Sequence, residues 1–161
     1  MKFCCHTTKG VSAVELLVGI SIAALILISA SYSITLFMDA SHEVSEKTQA
    51  LYLAEDGLEL TRFVRDNDWA NISALTMGTT YYFDVTDSSV GLGLTPEVIG
   101  GYSREVVFEN VYRDTTTLDI VASTTVGSSA DPSTKYVTVT VTWGVPSRTV
   151  SLTSILADVT P

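Results

Sequence analysis

LLVGISIAALILISASYSITLFM, residues Leu16 to Met38, contains no charged side chain. A helix needs roughly 20 apolar residues to cross a hydrocarbon core of about 30 Å, and this stretch supplies them. Ser, Ala and Gly are interspersed among the large aliphatics, and small residues let membrane helices approach closely. Lys2 and Lys9 precede the stretch, whereas Asp39 and Glu43 follow it. The positive-inside tendency then places the N-terminus in the cytoplasm and exports the remainder. The expectation is one pass through the cytoplasmic membrane.

An ordinary secretory signal has a shorter apolar run, with a small-residue cleavage site at its far end. This run is longer, and it carries an acid, Glu15, at its cytoplasmic edge. An acid within a membrane segment is costly to bury and is a functional candidate for that reason. The alternative reading puts Glu15 in the headgroup layer with no special role. Cys4 and Cys5 are adjacent and both precede the run. Disulfide geometry disfavours a bond between neighbours. If the first ten residues are removed, no disulfide can brace the exported part, and its stability must come from packing and sheet hydrogen bonds.

Outside this stretch the composition shifts towards Thr, Ser, Val and Asp, so the 161 residues divide into a membrane segment and one soluble domain. The formal charge is −9, from nine basic and 18 acidic residues. Loss of residues 1–10 would remove Lys2 and Lys9 but no acid, taking the charge to −11. Such a surface repels phosphate backbones, so no nucleic-acid binding is indicated. Arg62 and Arg65 form the one close basic pair after the leader, and they read as solvated helix charges.

From Asp39 to Asp66 there is no proline, and Gly57 is the one strongly unfavourable helix residue. Val44, Leu51 and Leu58 recur at helical spacing, with Leu53, Ala54, Leu60 and Val64 widening the stripe. An amphipathic helix over 39–67 is expected to continue the membrane helix, about 85 Å in all at 1.5 Å per residue. Asp66-Asn67-Asp68-Trp69 ends it, since Asn and Asp favour turns. Trp69 is expected to pack at the helix–sheet edge.

The rest, 79–157, reads as mainly β. In Tyr136 to Trp143, Val137, Val139, Val141 and Trp143 face one way, and Thr138, Thr140 and Thr142 the other. Gly144 to Ser147 supplies a turn, and Thr149 to Leu156 returns. Thr80 to Val85, Arg104 to Tyr112 and Leu118 to Val126 are further strand candidates. Val90 to Gly101, with Gly91, Gly93, Pro96 and the Gly100-Gly101 pair, reads as a loop. Gly127 to Ser133 reads as an exposed connection. The fold class is α+β: a long N-terminal helix, membrane-spanning in its first half, packed on a C-terminal antiparallel sheet.

The residues Lys9-Gly10-Val11-Ser12-Ala13-Val14-Glu15, followed by Leu16-Leu17-Val18, resemble the class III signal of type IV prepilins and type II secretion pseudopilins. In that family a basic leader ends in Gly, and the fifth residue after the cut is Glu at the head of an apolar helix. Family members usually begin with Phe, where this chain has Val11. The Ala54-Glu55-Asp56-Gly57-Leu58-Glu59-Leu60 stretch resembles the segment just outside the membrane in minor pilins and pseudopilins. It reads equally well as a solvated amphipathic helix. The resemblance implies a leader over 1–10, a transmembrane and assembly helix over 11–38, and an extracytoplasmic pilin-like domain over 39–161. It implies cleavage between Gly10 and Val11 by a prepilin peptidase, and methylation of the new amine.

It further implies assembly with other pilin or pseudopilin subunits at an inner-membrane platform, in contact with membrane lipid until the chain enters an extracytoplasmic filament. Glu15 is the assembly residue. Burying it and the new amine between subunits is tolerable only if the two pair. The disulfide loop and the membrane-helix proline of major pilins are absent, the first proline being Pro96.

Catalytic and cofactor motifs are missing. His6 lies in the leader and His42 stands alone, which gives no metal pair and no triad. No phosphate-binding loop or metalloprotease motif occurs. Some pseudopilins bind calcium, and Asp84 with Asp87 or Asp114 with Asp119 are the acids here to compare. Neither pair has the spacing of a dedicated calcium loop, and turn acids are the better reading. Hence no catalytic, cofactor or metal residue is assigned. A structural filament subunit is the leading expectation. A signal-anchored protein that retains residues 1–10 and presents an extracytoplasmic β-rich binding domain is the alternative.

Overall fold

The computed structural model describes residues 10, 12–86 and 89–159. They form a helix α1 (Ala13–Asn67), a short helix α2 (Ala70–Ser73) and seven strands. The strands are β1 (Thr80–Thr86), β2 (Ser89–Gly93), β3 (Glu97–Ile99), β4 (Tyr102–Asp114), β5 (Ile120–Val121), β6 (Ser128–Trp143) and β7 (Arg148–Ala157). The layout is α+β, as the sequence predicts. Two compact units divide between Ser45 and Glu46.

In the first unit, α1 is exposed along its whole length, including every large apolar side chain from Val14 to Met38. An 18-residue window there has a mean hydropathy of 2.4, and none of it is buried within the chain. This helix is long and apolar enough to cross a membrane. Four of its hydroxyls are satisfied locally. Ser21 donates to the Leu17 carbonyl, Ser29 to Leu25, Ser33 to Ser29 and Thr35 to Ser31, at 2.8–3.1 Å. Such bonds to the preceding turn are how Ser and Thr sit inside apolar helices.

In the second unit, the part of α1 from Glu46 onward covers an antiparallel sheet of order β2-β1-β4-β6-β7. One edge of β4 takes β3, β1 and β5 in succession, and the other pairs with β6 along nearly its full length. The predicted alternation holds: Val137, Val139, Val141 and Trp143 are buried under the helix with Val106, Phe108 and Leu156. On the outer face, Thr138 meets the Thr153 hydroxyl and Thr140 that of Ser151, at 3.1 and 3.0 Å. The helix ends at Asn67 as expected, and Trp69 packs against the core beside it.

Four expectations are corrected. The helix face on the sheet includes the expected Ala54 and Val64, with Leu53, Leu58 and Leu60 packed beside them. Its other buried residues are Ala50, Gly57 and Thr61, while Val44 and Leu51 are exposed. Val90 to Gly101 is not a loop, because it contains β2 and β3. Gly100 and Gly101 turn β3 into β4 with φ of 58° and 91°, the positive values of a tight two-residue hairpin turn. Leu118 to Val126 supplies just the two-residue β5. Its approach is a turn in which Asp114 accepts the Thr116 and Thr117 amides. Finally, most of Gly127 to Ser133 lies inside β6. The register shifts between Asn110 and Tyr112, where Pro132 falls, so the proline needs no ladder donor.

Candidate functional site

The processing and assembly residues lie at the start of α1. Gly10 is exposed, and Val11 lies outside the described residues, as do the leader positions 1–9. Glu15 is exposed in the first turn of α1, where a carboxylate favours the positive end of the helix dipole. Among the described residues, the turns that follow it are mainly aliphatic.

The most structured polar site is where α1 docks on the sheet. Arg104 is the one charged side chain on the core face of β4, in phase with Val106 and Phe108, and it is 2% exposed. Its Nε and Nη2 donate to the two Glu97 carboxylate oxygens at 2.9 Å each, a bidentate pair across β3–β4. Its Nη1 donates to Asp56 and, at 3.3 Å, to the Leu53 carbonyl, both on α1. The Phe83 ring lies beneath, 4.8 Å from Cζ. Burial lowers the tendency of Arg104 to hold its proton. Hydrogen bonds to Glu97 and Asp56, and their charges, outweigh that and raise it above its ordinary value. The guanidinium therefore stays charged and joins α1, β3 and β4.

Gly57 adjoins Asp56. A Cβ there would sit 2.7 Å from Val139 Cγ1 and 3.3 Å from Arg104 Cδ, so the helix contacts the sheet at a distance set by glycine. The AEDG residues are thus a docking element, with Ala54 and Gly57 buried against the sheet and Asp56 turned to Arg104. An arginine in the apolar phase of a strand was the available signal. Its partners, 48 and seven residues away, could not be assigned without the fold.

The remaining candidates are dispersed. Arg62 pairs with Glu59 at 2.7 Å and Arg65 with Asp66 at 2.8 Å, so the basic pair is neutralised on the helix. Asp84 lies in β1, and Asp87 is outside the described residues. The amides of Thr117 and Thr116 hold the Asp114 carboxyl below its ordinary value, and the Asp114 amide donates to the Asp119 carbonyl at 2.9 Å. These two acids serve a turn. No group of three or more metal-ligating side chains occurs among the described residues. A cleft of about 730 Å³ opens between Met77, Glu109, Tyr112, Ile120 and Tyr136. Comparison with protein-family models, curated proteins and solved structures returned no match.

Proposed function

We propose that this protein is a structural subunit, a minor pilin or pseudopilin, of a type IV pilus-like filament or secretion pseudopilus. The observation that carries the reading is the combination at the N-terminus. Basic residues, Gly10, and an acid five positions later head a helix whose large apolar side chains from Val14 to Met38 are all exposed, with none of the described residues covering them. Before assembly that surface lies in the cytoplasmic membrane, with the N-terminus inside. After assembly, neighbouring subunits replace the lipid.

In this reading a prepilin peptidase cleaves between Gly10 and Val11, and the freed amine and Glu15 neutralise each other as helices enter the bundle. The domain from Glu46 onward contributes the filament surface. It performs no chemistry of its own, and Arg104 with Asp56 and Glu97 fixes how α1 is seated. The test is intact mass and N-terminal sequence of the protein from its native membrane, with and without the peptidase. A chain beginning at Val11 when the enzyme is active is the expected result. A chain still beginning at Met1 would leave a signal-anchored domain and overturn the filament reading.

A further inference from the structure

The two cysteines of the chain are Cys4 and Cys5, so the Glu46–Pro161 unit has no thiol with which to brace its strands. It does bring an amine and a carboxamide into contact. Lys135 lies on β6 in phase with Val137, Val139 and Val141, and it is 6% exposed. Asn110 lies across from it on β4, in phase with Val106 and Phe108. The Lys135 ammonium donates to the Asn110 side-chain carbonyl at 2.9 Å. That carbonyl is the one group the ammonium bonds among the described residues, and none of the ion pairs among them includes Lys135.

An ammonium buried beside a neutral amide keeps the desolvation cost that a counter-charge would offset. Converting the two groups into one secondary amide removes the charge. Their register also brings the nitrogen to the carbon it would attack, because the oxygen it already bonds is about 1.2 Å from Cγ. Holding two reactants in such contact raises their effective concentration to as much as roughly 10⁵–10⁸ M.

The pair sits where β4 is least held by its neighbours. The β4–β6 register shifts just beyond it, between Asn110 and Tyr112. On the other edge of β4, the β1 pairing stops at Val107 and the β5 pairing starts at Tyr112, so no strand among the described residues pairs there with 109–111. A covalent bond at Asn110 spans the interruption. The cleft of about 730 Å³ opens on Asn110 as well, and Glu109 is the carboxylate among its lining residues.

We propose that Lys135 and Asn110 become joined by an isopeptide bond within the folded chain. The Lys135 ammonium first loses one proton to solvent in the cleft, with Glu109 accepting it through that solvent. The Nζ–Cγ bond then forms and the Cγ–Nδ2 bond breaks. Nδ2 takes a second proton from Nζ and leaves through the cleft as ammonia, which carries off the first proton as ammonium. Nothing is oxidised or reduced. The bond forms once and is no activity toward another molecule. It does not involve the helix before Ser45, so it stands or falls apart from the filament reading.

The experiment measures the intact mass of the full chain, purified in detergent, and sequences its tryptic peptides by tandem mass spectrometry. The bond lowers the mass by one ammonia, about 17 Da. It also blocks trypsin at Lys135, so the expected species is 105–113 joined to 114–148. Lys135→Arg and Asn110→Ala, each checked for native circular dichroism, should keep their full mass. Glu109→Gln, followed over time after synthesis, should form the bond about a hundredfold more slowly. Separate 105–113 and 114–135 peptides from folded wild type after prolonged incubation would overturn the proposal. An ammonia loss confined to one unlinked peptide would mean cyclisation of an asparagine and overturn it equally. Linkage in Glu109→Gln at the wild-type rate would overturn the proton route through Glu109.

Discussion

The two halves of α1 use opposite residue types to make contact. Before Ser45 the helix presents Leu, Ile, Val and Phe, all exposed, and buries none of them against the described residues. After Glu46 the buried positions are Ala50, Ala54, Gly57, Thr61 and Val64, at alternating intervals of four and three, and the larger Leu51 and Leu58 flank the contact. The intervals are those of one helix face. Large side chains suit a surface with a fluid or exchangeable partner. Small ones suit a fixed partner, because a helix backbone can then lie close to a sheet whose own valines fill the space. Apolarity marks the first half, and small size marks the second.

The strongest way to break the docked half is at the buried charge of Arg104. Arg104→Met should destabilise the domain by about 3 kcal/mol, because Glu97, 15% exposed, loses the partner that compensates its burial. Urea unfolding of the Glu46 unit followed by circular dichroism would measure it. Retained stability would mean that Glu97 and Asp56 are solvated well enough without it. Asp56 is 59% exposed, so Asp56→Asn should cost much less.

Glycine provides the sharpest test of the contrast between halves. Gly57→Ala should destabilise by about 1–2 kcal/mol, the overpacking against Val139 exceeding the gain in helix propensity. Gly19 has nothing within 4 Å of its would-be Cβ, so Gly19→Ala should leave the domain unchanged and favour the helix slightly. Thermal unfolding of both variants side by side makes the comparison, and equal effects would erase it.

A smaller loss than at Arg104 or Gly57 is expected at the bulge of β6. The Arg113 guanidinium, then the Thr134 hydroxyl, hold the Asp131 carboxyl below its ordinary value. Its contribution is therefore present above the ordinary carboxylate value of about 3.9 and is lost as pH falls through the lowered folded value. Asp131→Asn should cost no more than about 1 kcal/mol at neutral pH, and the difference from wild type should vanish in acid. Unfolding midpoints measured from neutral pH downward would show a constant gap if this linkage were absent.

What the sequence made legible follows from periodicity. The valines of β6, the return of β7 and the helix stop at Asn67 were readable, because alternation and turn residues act locally. The docking face of α1 was legible in part. The predicted stripe contains Ala54 and Val64, which are buried, and Leu53, Leu58 and Leu60, which pack against the core. It also takes in the exposed Val44 and Leu51 and misses Ala50, Gly57 and Thr61, whose small size matches Val139 and Arg104 far along the chain. The strands β2 and β3 were hidden by glycines that read as loop. Gly91 and Gly93 in fact pair with Asp84 and Tyr82, and a ladder partner is invisible until the hairpin exists. Of the candidate site, Gly10, Val11 and Glu15 came from motif spacing, and the Arg104 cluster required three elements to meet.

The serines and threonine of the apolar helix carry a thermodynamic consequence. Each of Ser21, Ser29, Ser33 and Thr35 already donates its proton to a carbonyl one turn back. Additive transfer scales treat a hydroxyl as bare and count the full penalty of dehydrating it, a cost that falls when the group is hydrogen-bonded. The partition coefficient of this segment into hydrocarbon should therefore exceed the value summed from its residues. Those four side chains enter the oily phase as compact, proton-satisfied groups that a neighbouring chain can pass without breaking a bond to water.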